Sequence, residues 1–152
     1  MNKKGFTLIE LIIVIALMAI LMAFAAPSMI QWRESAQVKE VARDILGGLR
    51  QARSIAITNN QNVTATIDPD GHTLTFGTRT LSFPSRILLQ ATTNIDTSAN
   101  PPTASGWSGS DDKSTEFRPQ GSATNSLWIR VNNDDRLIVK ITSTASGLAK
   151  ID

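Results

Sequence analysis

The chain has 152 residues, 15 Lys+Arg against 13 Asp+Glu, and no cysteine. That length implies a single domain with a real core. The missing cysteines exclude a disulfide framework, a thiol nucleophile and a Cys-based zinc site. The net charge of +2 is supplied entirely by Lys3 and Lys4, so the remainder is neutral and gives little support for a polyanion partner.

The first element is an apolar run from Phe6 to Ala26 in which only Glu10 ionises. At about 1.5 Å per residue a helix over this run is about 32 Å long, close to the roughly 30 Å hydrocarbon thickness of a bilayer. Two lysines precede it and the next positive charge is Arg33. The positive-inside rule therefore predicts a single pass with the N-terminus cytoplasmic and the rest across the membrane. Ala23-Phe24-Ala25 also fits an ordinary secretory cleavage site, which would release a soluble periplasmic β-domain. An acid has no purpose in a disposable hydrophobic segment, so Glu10 speaks against that alternative.

After Pro27, which predicts a helix kink, the sequence turns amphipathic. Val38, Val41, Ala42, Ile45, Leu46, Leu49, Ala52, Ile55 and Ala56 recur at helical steps, with Lys39, Glu40, Arg43, Asp44, Arg50 and Arg53 on the other side. One helix is predicted from about Phe6 to Thr58, ending at Asn59-Asn60. Gly47-Gly48 within it reads as a second soft point or, in preference, as a tolerated pair where another backbone packs close.

Strands follow. Val63, Ala65 and Ile67 alternate with polar residues; Asp68-Pro69-Asp70-Gly71 is a turn signal, and Leu74 and Phe76 alternate again. Leu81 and Phe83 predict a third strand and Ile87-Leu88-Leu89 a fourth. Residues 94–113 are rich in turn formers and predict a long exposed loop holding Trp107. Leu127, Ile129 and Val131, the turn Asn132–Asp135, and Leu137, Val139 and Ile141 predict a hairpin. The fold class is α+β: a long N-terminal helix, membrane-spanning in its first half and amphipathic in its second, packed on an antiparallel, sandwich-like β head. The predicted divisions are 1–5, a leader; 6–26, the transmembrane helix; 27–60, the amphipathic half; and 61–152, the β-rich head.

The opening KKGFTLIELIIVIALMAIL resembles the leader and first helix of type IV pilins and type II secretion pseudopilins. The resemblance implies that a prepilin peptidase cuts between Gly5 and Phe6 and methylates Phe6. Glu10 becomes the fifth mature residue, the family's assembly carboxylate, paired with the N-terminal amine of a neighbouring subunit. LRQARSIAITNNQNVTATID (49–68) and FRPQGSA (117–123) are similar to segments of the GspH/FimT group of minor pseudopilins and minor pilins. The implied partners are other pilin subunits, the peptidase and an inner-membrane assembly platform, and the implied role is a structural subunit rather than an enzyme. Its place would be the inner membrane and then a filament of a type IV pilus or a secretion pseudopilus.

One branch of that group is implied to bind DNA through a C-terminal Gly-Arg-x-Arg stretch. Here the sequence reads Gly147-Leu148-Ala149-Lys150, so Lys150, with Lys140 and Arg136, would have to carry that alternative, and lysine lacks the planar fork of arginine. From Asp111 onward there are as many acids as bases, which suits phosphate neutralisation poorly. His72 follows a turn and predicts a hairpin-edge residue, not a general base. Asp111-Asp112 and Asp134-Asp135 lack the spaced oxygens of a calcium site. No cofactor, metal or catalytic residue is expected.

Overall fold

The computed structural model describes residues 7–96, 98–99, 101–132, 138–141 and 149–151, with side chains for all of these except 23–31 and 149–151. The helix α1 runs Leu8–Asn59. Ten strands follow: β1 Val63–Asp68, β2 Thr73–Phe76, β3 Arg79–Ser82, β4 Leu89–Thr92, β5 Ile95–Asp96, β6 Thr103–Ala104, β7 Lys113–Phe117, β8 Leu127–Val131, β9 Ile138–Ile141 and β10 Ala149–Ile151. The chain divides into two compact units, 1–37 and 38–152.

Both ends of α1 are capped by its own sequence. At the start Thr7 and Glu10 form a capping box: the Glu10 N–H donates to Thr7 Oγ1 (3.3 Å) and the Thr7 N–H donates to Glu10 Oε2 (2.9 Å). At the end Asn60 adopts the left-handed region with φ of 53°. The Asn60 N–H then reaches the Ile57 carbonyl (3.4 Å) and the Gln61 N–H the Ala56 carbonyl (3.2 Å), which is the Schellman pattern.

The second unit holds two four-stranded antiparallel sheets. The first has the order β3-β2-β1-β7 and the second β10-β9-β8-β4, and β5-β6 form a small separate ribbon. Period-two alternation puts Val63, Ala65 and Ile67 of β1 inside, with Leu74 and Phe76 of β2. On the helix, Val38, Val41, Ala42, Ile45, Leu49, Ala52 and Ala56 are buried in the same core as both sheets, with Leu46 and Ile55 partly buried against it. Gly48 lets α1 approach the first sheet: a Cβ there would lie 2.9 Å from both Leu74 Cδ2 and Leu81 Cδ1. Gly47, by contrast, faces open space.

Three strand expectations need correction. The third strand stops at Ser82; Phe83 lies just beyond it, although its N–H still bonds the His72 carbonyl (2.8 Å). The fourth starts at Leu89, because Pro84 opens a turn closed by the Ile87 N–H on the Pro84 carbonyl (3.0 Å), leaving Ile87 buried and Leu88 exposed. Residues 94–113 are not a plain loop. They contain β5 and β6, tied back by Thr92 Oγ1 to the Ser105 carbonyl (2.6 Å) and by Asn94 Nδ2 to Ser105 Oγ (3.1 Å). Such polar ties leave no hydrophobic period in the sequence. A tenth strand, β10, also pairs with β9 in the segment read only for its charges.

Among the described residues no helix is long and apolar enough to cross a membrane. The described apolar side chains of the run end at Met22, since those of 23–31 lie outside the described set. Pro27 lies there too, so the expected kink concerns a residue outside the described side chains, as the expected cleavage at Gly5 and Phe6 lies wholly outside the described residues.

Candidate assembly site

The first half of α1 carries a pattern that no single folded domain can bury. Every described side chain from Leu8 to Met22 is exposed, with the large apolar ones between 45% and 76% exposed. Apolar residues on all sides give no stripe, so the segment cannot be covered by a partner along one face; it needs a surrounding of lipid or of other helices.

Glu10 lies in the first turn of this segment and is exposed. Its Oε2 accepts from the Thr7 N–H and from Thr7 Oγ1 (3.0 Å), which fixes the carboxylate beside the N-terminal end of the helix. Both bonds end on one oxygen, and among the described residues no hydrogen bond reaches the other. A carboxylate in the first turn is also favoured by the positive end of the helix dipole. The sequence signal for this cap was the spacing Thr-x-x-Glu in Thr7-Leu8-Ile9-Glu10.

In the second unit the phenylalanine-proline-glycine segment has a clear physical role. Phe117 is fully buried, and the Gly121 N–H closes a turn onto the Arg118 carbonyl (2.8 Å) with Pro119 at its second position. Gly121 has φ of 82°, which few other residues adopt. The Arg53 Nε–H of α1 donates to its carbonyl (2.9 Å), and a Cβ there would meet Arg53 and Ile57 side chains at 3.1 Å. The motif is a clasp between helix and sheet.

Of the residues expected to carry a DNA reading, only Lys140 has a described side chain. Lys140 Nζ lies over the Trp128 ring, 4.4 Å from its centre. Lys150 is the Cα partner of Lys140 across β9 and β10, but its side chain, like all of Arg136, is outside the described set. Trp107 is half-buried with the Arg130 guanidinium 4.6 Å from its ring centre, and Arg130 also donates to Gln90 Oε1 from Nε (3.1 Å) and Nη2 (2.6 Å). Its ring anchors the 94–113 excursion to the second sheet and offers no free face on the Arg130 side.

His72 is half-buried with φ of 51° after the Asp68–Gly71 turn, and its Nδ1 is buried with no hydrogen-bond partner among the described residues. Asp68 Oδ1 accepts from the Gly71 N–H (2.6 Å), which closes that turn. Asp111 pairs with Lys113 at 3.6 Å. No group of three or more His, Asp or Glu that could hold a metal occurs among the described residues, and Asp134-Asp135 lie outside them. At the tip of the β5-β6 ribbon, the Ser98 hydroxyl and N–H both donate to Asp96 and hold its carboxyl below the usual aspartate range.

Comparison with known proteins agrees with this arrangement. The prokaryotic N-terminal methylation motif matches residues 1–26, and the model of the type II transport protein GspH family matches residues 41–147. The fold is similar to the minor pseudopilin EpsH of the type 2 secretion system of Vibrio cholerae, with TM-score 0.55 and 16% identity over 76% of this chain and 94% of that one. It is also similar to the type IV minor pilin FimU of Pseudomonas aeruginosa, with TM-score 0.53 and 13% identity over 80% and 92%. No curated protein matches the chain.

Proposed function

This chain belongs to the GspH family of minor pilins and pseudopilins, and from that premise we propose that Glu10 is its assembly carboxylate in a type IV-like filament. The family and fold are those of structural subunits that assemble with other pilin subunits, and the role proposed for this chain is structural, without catalysis. The observation that carries the reading is the exposed carboxylate of Glu10 at the head of a helix segment apolar on every side. A lone acid in such a segment is costly in lipid. Between packed helices a neighbour's N-terminal ammonium would pair with it at low dielectric, and removal of one partner of such a pair costs about 3–5 kcal/mol.

The matched N-terminal motif supports the rest of the proposed pathway. A prepilin peptidase cuts between Gly5 and Phe6 and methylates Phe6, and Gly5 suits the cut because it has no side chain. The subunit is held in the inner membrane by its first helical half, with the head in the periplasm, until an assembly platform draws it into the filament.

Glu10→Ala and Glu10→Gln together test the mechanism. Alanine removes both the charge and the helix cap. Glutamine keeps the capping geometry, because the capping box accepts Glu or Gln, and removes only the charge. Both variants are expected to reach the membrane with a folded head, and both to be lost from co-purified filaments at equal membrane levels. Normal incorporation of Glu10→Gln would show that the cap, not the ion pair, is what assembly requires.

A further inference from the structure

The charges of α1 leave one long interval between them. No residue ionises between Glu10 and Arg33, and that interval, Leu11 to Trp32, holds 22 residues. The backbone is helical through all of it, so it extends about 33 Å at a rise of about 1.5 Å per residue. The hydrocarbon core of a bilayer is about 30 Å thick, and about 40–45 Å with its headgroup regions. With Glu10 at one edge of the hydrocarbon, Trp32 falls just beyond the other, at the depth of the headgroups. The charges hold it there: a slide of the helix one way draws Arg33 into hydrocarbon, and a slide the other way draws in Glu10.

Trp32 stands apart from the other large apolar side chains that follow the run. It is 71% exposed, and Arg33, Glu34, Ser35 and Ala36 after it are exposed as well. The core of the head begins only at Val38. The chain's two other tryptophans are covered within the head. Trp128 is 6% exposed with Lys140 over its ring, and Trp107 is half-buried against Arg130. Trp32 alone is left mostly bare.

Two surroundings suit an exposed indole on a helix: a packed helix of another protein, or the membrane–water interface. Helix packing uses apolar anchors at steps of three, four and seven residues. From Trp32 toward the head those steps reach Ser35, Ala36 and Lys39, and none offers a large apolar side chain. Trp32 therefore starts no packing stripe; it closes the apolar run. An indole has an apolar body and one N–H that only donates. At headgroup depth the ring lies among the upper acyl chains while the N–H meets ester and phosphate oxygens, and tryptophan is enriched there for that reason. Arg33 adds a donor fork that matches phosphate, and Glu34 beside it leaves this short segment neutral.

We propose that Trp32 is a lipid-binding residue of the unassembled subunit, seated at the periplasmic boundary between phospholipid headgroups and acyl chains. The proposal rests on the membrane-anchored reading above. It assigns to the membrane the one tryptophan that the head does not cover, and it places Glu10 and Trp32 at opposite faces of the same bilayer.

Fluorescence of the full-length chain in vesicles of phosphatidylethanolamine and phosphatidylglycerol tests this, with bromine carried either high on the acyl chains or near their methyl ends. Trp32→Phe keeps an aromatic ring and removes the one indole outside the head, so the signal lost in the variant is that of Trp32. Both proteins should keep the protease resistance of the head, since residue 32 lies in the other compact unit. The Trp32 signal should be quenched strongly by the shallow bromines, weakly by the deep ones and little by iodide in the water. Quenching mainly by iodide puts Trp32 in water and overturns the proposal. Quenching mainly by the deep bromines puts it in the hydrocarbon and also overturns it. A signal reached by neither lipid nor iodide means that protein covers the ring, and the proposal fails in favour of a packed helix. Flotation of the same vesicles separates the two readings. A chain that floats with lipid but fails the quenching test defeats only the assignment of Trp32, and a chain that does not float defeats the membrane-anchored reading itself.

Discussion

The two halves of α1 are built from the same residue types and meet different fates. Leu11 and Ile12 are 56% and 51% exposed, while Ile45 and Leu49 are fully buried. The difference is arrangement. After Val38 apolar residues keep to one face, and the head of the same chain covers that face. Before it they surround the helix, and a chain that covers one face cannot satisfy the others. A stripe is a request for a partner within the domain; an apolar cylinder is a request for a membrane or a bundle.

Truncating matched side chains separates the two halves most directly. Ile45→Ala or Leu49→Ala should lower the stability of the head by about 2–5 kcal/mol, the usual cost of a cavity in a packed core. Leu11→Ala should leave it unchanged. Urea unfolding of the full chain in detergent, followed by tryptophan fluorescence, distinguishes them, and an equal effect of Leu11→Ala would end the distinction between the halves.

The clasp between helix and sheet comes next in size. Gly121→Ala forces a side chain into a left-handed backbone and against Arg53 and Ile57, with an expected loss of about 1–3 kcal/mol. The adjacent glycines of α1 sharpen the picture with opposite signs. Gly48→Ala should destabilise the head by about 1–3 kcal/mol through overpacking against Leu74 and Leu81. Gly47→Ala should stabilise it by up to about 1 kcal/mol through helix propensity, because its Cβ meets nothing. The same unfolding curves measure all three, and a loss at Gly47 equal to that at Gly48 would mean both positions are packed.

The smallest effects belong to the 94–113 excursion. Trp107→Ala should cost about 0.5–2 kcal/mol through loss of the ring under Arg130, and should speed amide exchange in the excursion more than in β8. At its tip, the Asp96 carboxyl is stabilised in its charged form by Ser98. The folded value is below the unfolded one, so the ribbon keeps these bonds at neutral pH and loses them as pH falls through the depressed value. An NMR titration of the Ser98 amide should show its midpoint below that of an ordinary aspartate, and Ser98→Ala should raise it.

Much of this molecule could be read from its residues, because the decisive signals were local. The helical steps from Val38 to Ala56, the alternation of Val63, Ala65 and Ile67, and the Asp68–Gly71 turn are patterns that short-range geometry imposes on any chain that folds this way. The opening motif around Gly5 and Glu10 is likewise local, and so is the Thr7–Glu10 cap, whose spacing was in plain view beside the carboxylate. Everything that depends on a distant partner was settled by packing between segments instead. The start of β4 at Leu89 follows from a turn and from Val131 across the sheet. The excursion from 94 to 113 folds through hydrogen bonds of Thr92 and Asn94 to Ser105, and Trp107 finds Arg130 only because β8 passes beneath it. Which glycine of a pair packs and which lysine lies over Trp128 are consequences of register between segments far apart in sequence, and no periodicity within a single segment encodes them.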